Sequence, residues 1–182
     1  MCHTLIHSPK FFSLLFRIDQ ELAKQTQDRG CPCGGVLHRA DFPRKPRGCP
    51  VPARDDCSIR LSFCCSLCRK RFTAPSVRFQ GRRVYLLVVM VLMPARRAGQ
   101  ASSAARFCAS LPICDRTLQR WRVWWTETFI ASPLWRADCA RFMPSVTVGN
   151  LPASLLERFR GSPAVSLVRM LRFLATTKPP HV

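Results

Sequence analysis

Apolar residues first recur at helical spacing in residues 8–29, where Phe11, Leu14, Leu15, Ile18 and Leu22 return every three or four positions. Ser8 suits an N-cap and Pro9 a first helical position, because proline's missing N–H falls where a helix has no partner for one. Gly30 ends the pattern, so an ordinary packing helix is predicted over 8–29. The helical period then disappears across residues 30–83. Pro43, Pro46, Pro50 and Pro52 interrupt any long regular element there, and Cys, Gly and Arg fill much of the rest. A run of apolar residues over 82–93 reads as a buried helix, although its β-branched residues also suit a strand. Pro94 and Gly99 mark a break, and residues 101–130 predict two helices around a short turn. Residues 133–148 predict irregular chain around Pro133 and Pro144. Helical spacing resumes over 151–174 through Leu155, Leu156, Phe159, Leu167, Leu171 and Leu174, broken at Gly161 and Pro163. The tail, 178–182, should be loose, and no internal repeat is present.

The aperiodic stretch carries the clearest chemistry. It opens with Cys31-Pro32-Cys33-Gly34-Gly35 and closes with Cys64-Cys65-Ser66-Leu67-Cys68-Arg69. Structural zinc takes four thiolate or imidazole ligands in a tetrahedron, and two close pairs far apart in sequence meet that need when a hairpin joins them. Glycines after the first pair permit a tight turn that aims backbone N–H groups at sulfur. Cys31, Cys33, Cys65 and Cys68 are therefore the expected ligands of a structural zinc ion. Cys31 and Cys33 stand one residue closer than such a pair normally does, which makes Cys64 and His38 the possible substitutes. Four protein ligands leave no position open for a reacting water, so the site reads as a staple for a module with too small a core. Cys49 and Cys57 are read as spare, and Cys2, Cys108, Cys114 and Cys139 as packing residues.

Eleven cysteines, an odd number, with no convincing secretory signal, argue against a disulfide framework and for a reducing cytoplasm. The apolar runs are too short for a spanning helix of about 20 residues, so no membrane segment is expected. The 29 Lys and Arg against 10 Asp and Glu give a formal charge of +19, which attracts polyanions, nucleic acid first among them. Arginine supplies most of that surplus, an excess that GC-rich codon usage alone also produces. Within 30–83, Arg44, Lys45, Arg47, Arg69, Lys70 and Arg71 are candidate phosphate contacts.

Residues 102–110, a turn at 111–114 and a helix from 115 to 125 have the form of a helix-turn-helix. Asp115 is the expected N-cap. Leu118, Trp121 and Trp125 share one face, which leaves Arg116, Thr117, Gln119, Arg120 and Arg122 for others. A recognition helix needs that division: an apolar stripe to hold it, and Arg, Gln or Thr near its N-terminal end to reach base edges. Any amphipathic helix in an Arg-rich chain shows cations on its wet face, so a solvated surface helix is the competing reading. Trp124 and Trp125 read as core.

With these residues in view, the chain resembles uncharacterised bacterial proteins found with mobile elements, often labelled transposase-like. The resemblance is carried by residues 30–48, 60–65, 75–85, 116–121 and 151–159, which span most of the chain. It implies a zinc ribbon plus a helix-turn-helix rather than a particular activity, and the short first cysteine pair departs from its pattern.

The resulting expectation is a mainly α fold with a small, metal-stapled, zinc-ribbon-like β module and a helix-turn-helix in the C-terminal half. Its segments are an N-terminal helix (1–29), the basic ribbon module (30–83), the helix-turn-helix region (84–132) and a C-terminal helical segment with its tail (133–182). The ten acids are scattered through caps, loops and helix faces, and no nucleophile arrangement or Gly-rich phosphate loop stands out. A DNA-binding protein without its own catalytic domain, nucleoid-associated in a bacterial cytoplasm, is the favoured reading. The alternatives are an accessory protein-interaction module of a recombination complex and a decayed mobile-element fragment.

Overall fold

The computed structural model describes residues 2–47, 49–81, 85–92 and 113–176. Helix α1 (Pro9–Arg29) follows the predicted boundaries closely, with Ser8 in extended conformation at the N-cap and Gly30 at φ 71° at its end. The Ser8 hydroxyl makes no cap bond; its carbonyl opens the helix by accepting the Phe11 and Phe12 N–H groups. Phe11, Phe12, Leu15 and Ile18 enter the main core, while Phe16 and Ala23 pack against a second, smaller one. One helix thus serves both.

The smaller core belongs to the aperiodic stretch. Strands β1 (Leu37–Arg39), β4 (Ser62–Cys65) and β5 (Arg71–Thr73) form an antiparallel sheet in the order β1-β4-β5, with Leu37 opposite Cys65 and Phe63 opposite Phe72. Strands β2 (Phe42–Pro43) and β3 (Ile59–Arg60) form a separate antiparallel pair. Cys31, Leu37, Leu61, Phe63, Cys65 and Ala74 are buried together with Ala23 of α1.

The apolar run resolves as helix α2 (Leu87–Leu92), all six of whose residues are buried. A helix apolar on every side belongs inside a core, and here it takes that place despite its valines. Helix α3 (Asp115–Val123) continues as a π-helical segment, Trp124–Phe129. Leu118, Trp121 and Trp125 are buried, as the spacing predicts; Phe129 is buried too, and Trp124 packs against the core. Trp125 Nε1 donates to the Met90 carbonyl at 3.2 Å, tying α3 to α2. The first helix of the expected helix-turn-helix, 102–110, lies outside the described residues.

Residues 133–148 are not wholly irregular. Helix α4 (Pro133–Asp138) begins there, capped by the Ser132 hydroxyl, which accepts the Trp135 N–H. Pro133 starts this helix instead of breaking one, as Pro9 and Pro163 do after Ser8 and Ser162. Two further helices, α5 (Ala153–Leu156) and α6 (Pro163–Ala175), bury Leu155, Leu167, Leu171 and Leu174 in the main core.

A carboxylate on the buried face of α1 joins these parts. Asp19 Oδ1 accepts the Val77 N–H at 2.7 Å, while Oδ2 accepts Ser76 Oγ at 2.5 Å and Arg78 Nε at 2.7 Å. The remaining Arg78 N–H groups donate to the carbonyls of Asp56 and, at 3.2 Å, Ile59. Asp19 is 1% exposed and Arg78 0%, so neither charge has water to fall back on. Removing one partner of such a pair strands the other, so Asp19→Ala should cost about 3–5 kcal/mol in denaturant unfolding. The double variant Asp19→Leu/Arg78→Met should recover a large part of that loss. Wild-type stability in Asp19→Ala would refute this role.

Candidate metal centre

The Sγ atoms of Cys31, Cys33, Cys65 and Cys68 all lie within 4.8 Å of one another, close enough to hold a metal ion. Cys33 Sγ is 3.3 Å from Cys31 Sγ and 3.5 Å from Cys65 Sγ, and Cys31 is 3.5 Å from Cys68. The short Cys31–Cys33 spacing is therefore no obstacle. A turn closed by Gly34 N–H donating to the Cys31 carbonyl at 2.9 Å brings both sulfurs to one side, with Gly34 at φ +80°. The substitutes stay out. His38 is exposed on β1 and paired with Cys64, and the Cys64 thiol turns to the Arg69 carbonyl at 3.5 Å. Adjacent strand residues point to opposite faces, so Cys64 and Cys65 cannot both reach the cluster.

The second knuckle is built on β4 and the turn after it. Arg69 N–H donates to the Cys65 carbonyl at 3.2 Å and Cys65 N–H to the Lys70 carbonyl at 3.0 Å. Arg69 has φ 57°, a left-handed conformation that an L side chain pays for and glycine does not.

Backbone amides and crowding split the thiols electrostatically. The Gly35 N–H, followed by the thiols of Cys31, Cys65 and Cys68, draws Cys33 down to about 6. For Cys31 the strongest single influence, the Cys33 N–H, favours the thiolate, yet burial and the three neighbouring thiols together push it up to about 12. Burial opposes ionisation of Cys65, but N–H groups of Cys68 and Leu67 outweigh it and lower the thiol. Four thiolates this close repel one another, and a bound cation removes the conflict.

Gly35 does more than permit a turn. A Cβ there would lie 2.5 Å from Cys65 Sγ and 3.1 Å from Leu67. The Gly-Gly pair was legible in the sequence, but this close approach was not.

Three of the other cysteines differ from expectation. Cys49 and Cys57 are not spare. Cys57 is fully buried in the main core with Cys49 packed against it, and the Cys57 thiol holds Cys49 below the usual thiol range. Cys114 is exposed instead of packed, and it stands at the N-cap of α3 where Asp115 was expected; Asp115 is the first helical residue. Cys139 packs against the core as expected, and Cys108 lies outside the described residues.

The expected nucleic-acid contacts fall in two groups. On α3, Arg116, Gln119, Arg120 and Arg122 are exposed, while Thr117 is half-buried with its hydroxyl 3.3 Å from Cys114 Sγ. On the ribbon, Lys45, Arg47, Arg69, Lys70 and Arg71 are exposed, and Arg44 is half-buried. Arg71 also works within the fold: its Nη1 donates to the Ala40 carbonyl at 3.0 Å and to Ser62 Oγ at 3.2 Å. No helix among the described residues is long and apolar enough to cross a membrane. No protein family, curated protein or solved structure matches the chain.

Because Cys65 Sγ fills the space beside Gly35, Gly35→Ala should weaken metal binding on the order of 10–100-fold, read by titration against a chelator. Arg69→Gly should leave metal binding intact and raise unfolding stability by about 1 kcal/mol through release of the left-handed strain. A destabilised Arg69→Gly would contradict the strain argument.

Proposed function

We propose that this chain is a DNA-binding protein in which a zinc-stapled ribbon braces a basic platform and helix α3 contacts the bases. The observation that carries this reading is the division of α3. Leu118, Trp121 and Trp125 are buried, while Arg116, Gln119 and Arg120, neighbours on the helix surface by their spacing, are exposed. Arginine pairs with guanine and glutamine with adenine in the major groove. The formal charge of +19 adds long-range attraction to phosphate. The resemblance of several segments to transposase-like proteins of mobile elements supports mobile-element DNA as the target, with cleavage, if any, supplied by another protein.

Zinc is the metal that suits the thiols. A tetrahedral zinc with Zn–S distances of about 2.3 Å needs sulfurs about 3.8 Å apart, and the cluster's separations of 3.3 Å, 3.5 Å and up to 4.8 Å bracket that value. Four protein thiolates complete the shell, which makes the role structural.

A second reading has its own observation. Val36 and Leu67, at the metal end of the ribbon, are 64% and 69% exposed. Apolar tips of this kind suit docking onto a protein partner, as an accessory module of a recombination complex would require. Retention of a partner after nuclease treatment favours that reading over DNA binding.

Purified protein should contain about one zinc per chain, released as pH falls because protons compete for the thiolates. Elemental analysis without zinc, together with folding unaffected by chelator, would overturn the metal assignment. Arg116→Ala or Arg120→Ala should weaken binding to a DNA site selected from a random pool by about 1–3 kcal/mol, with a shallower salt dependence. Unchanged affinity in both variants would remove α3 as the reading element.

A further inference from the structure

The metal end of the ribbon exposes two apolar side chains that a DNA contact through α3 does not use. Val36 immediately precedes β1 and Leu67 lies in the turn after β4, and both are largely exposed. They stand side by side. Ser66 N–H donates to the Val36 carbonyl at 2.9 Å, and Val36 N–H donates to Ser66 Oγ at 3.1 Å. Leu67 lies so close over Gly35 that a Cβ there would meet it at 3.1 Å. The same two turns carry the clustered thiols, Cys33 on one, Cys65 and Cys68 on the other. Backbone bonds and the cluster together give the apolar tip a fixed base.

Cations follow directly along the chain. Arg69, Lys70 and Arg71 come two to four residues after Leu67 and are exposed, so the backbone keeps them within about 14 Å of it. The left-handed backbone of Arg69, at φ 57°, turns the chain away from the tip at that point. Arg71 is held where it emerges: its Nη1 donates to the Ala40 carbonyl and to Ser62 Oγ, and its guanidinium lies 5.7 Å from the centroid of Phe42. Neither 30–39 nor 62–73 contains an Asp or Glu. The tip is therefore apolar at its centre and cationic around it, with no acid in the segments that build it.

We propose that Leu67, backed by Val36, is a wedge that enters the minor groove of duplex DNA and parts one base step, while Arg69 and Lys70 hold the phosphates beside it. This rests on the DNA-binding reading. Duplex DNA has the complementary layout, with a phosphate rail on each side of a groove about 6 Å wide and stacked bases at its floor. Aliphatic side chains pushed between base steps unstack them and kink the duplex, at a cost that contacts to the bent DNA offset. A protein pocket also fits an apolar tip, but it needs an acidic rim to meet the surrounding cations. The chain's formal charge of +19 favours the polyanion. The fixed base matters because a wedge on a loose loop would fold aside instead of parting the stack.

The test mixes the full, metal-loaded chain with a duplex selected from a random pool and labelled at its two ends with a fluorescent donor and acceptor. A kink brings the ends together, so saturating wild-type protein should raise energy transfer. The double variant Val36→Ala/Leu67→Ala should lose that rise while keeping its metal content, since both side chains are exposed and neither is a ligand. Leu67→Met keeps an apolar side chain of similar size and should bend the duplex as wild type does. A duplex bound with no rise in transfer overturns the wedge, leaves DNA binding standing and returns the tip to a protein partner. A rise that survives the double variant overturns it equally, as does a metal-loaded Leu67→Met protein that binds without bending. Failure to bind any duplex removes the DNA reading, and the wedge with it.

Discussion

The carboxylate of Asp19 is the constraint on which the rest of the molecule depends. A charged group on the inward face of a helix is expensive unless it is paired and hydrogen-bonded, and here a hydroxyl, a backbone amide and a guanidinium donate to it. Through Arg78 the same network reaches the carbonyls of Asp56 and Ile59, which lie between the two halves of the cysteine cluster. Helix α1 is thereby fixed to the loop that carries β3 and to residues 76–79, which lead into α2. Hydrophobic contact alone would allow these segments to slide. Directional bonds to a single buried carboxylate set their register.

The ribbon needs that attachment because its own resources are small. Its core consists of a few side chains, two of them cysteines, with Ala23 and Phe16 borrowed from α1. The thiol cluster is electrostatically divided, with Cys33 inclined to ionise and Cys31 held protonated, a state that a cation relieves. Two backbone positions make the cluster possible. Gly34 turns the chain with a positive φ, and Gly35 leaves room for Cys65 Sγ. Arg69 performs the corresponding turn in the second knuckle, with a side chain in place of glycine.

Arginine does two kinds of work in this chain. Arg116 and Arg120 stand in solvent on α3, where they are free to meet an anionic partner, while Arg78 and Arg60 are buried and stack on Phe79. Arg71 belongs to both groups, being exposed and yet bonded to Ala40 and Ser62. Net charge cannot separate these roles. A proposed nucleic-acid surface must be read from which cations the fold leaves in water.

Local rules made much of this structure legible. Apolar spacing placed α1, the buried run of α2, the inward face of α3 and the leucines of α6, because a helix displays its sequence period directly on its surface. Cysteine spacing identified the four clustered thiols. Pro133 misled, since a proline that opens a helix and one that breaks it differ only in whether a capping residue precedes it, and Ser132 was that residue. Local pattern thus accounts for most of the helices, the four sulfurs and the excess of positive charge. Long-range packing settles the burial of Asp19, the meeting of Cys49 with Cys57, the exclusion of Cys64 and His38 from the cluster, and the gathering of Arg44, Arg60 and Arg78 around Phe79. These are contacts between residues distant in the chain, and no local period or spacing encodes which buried surfaces will meet.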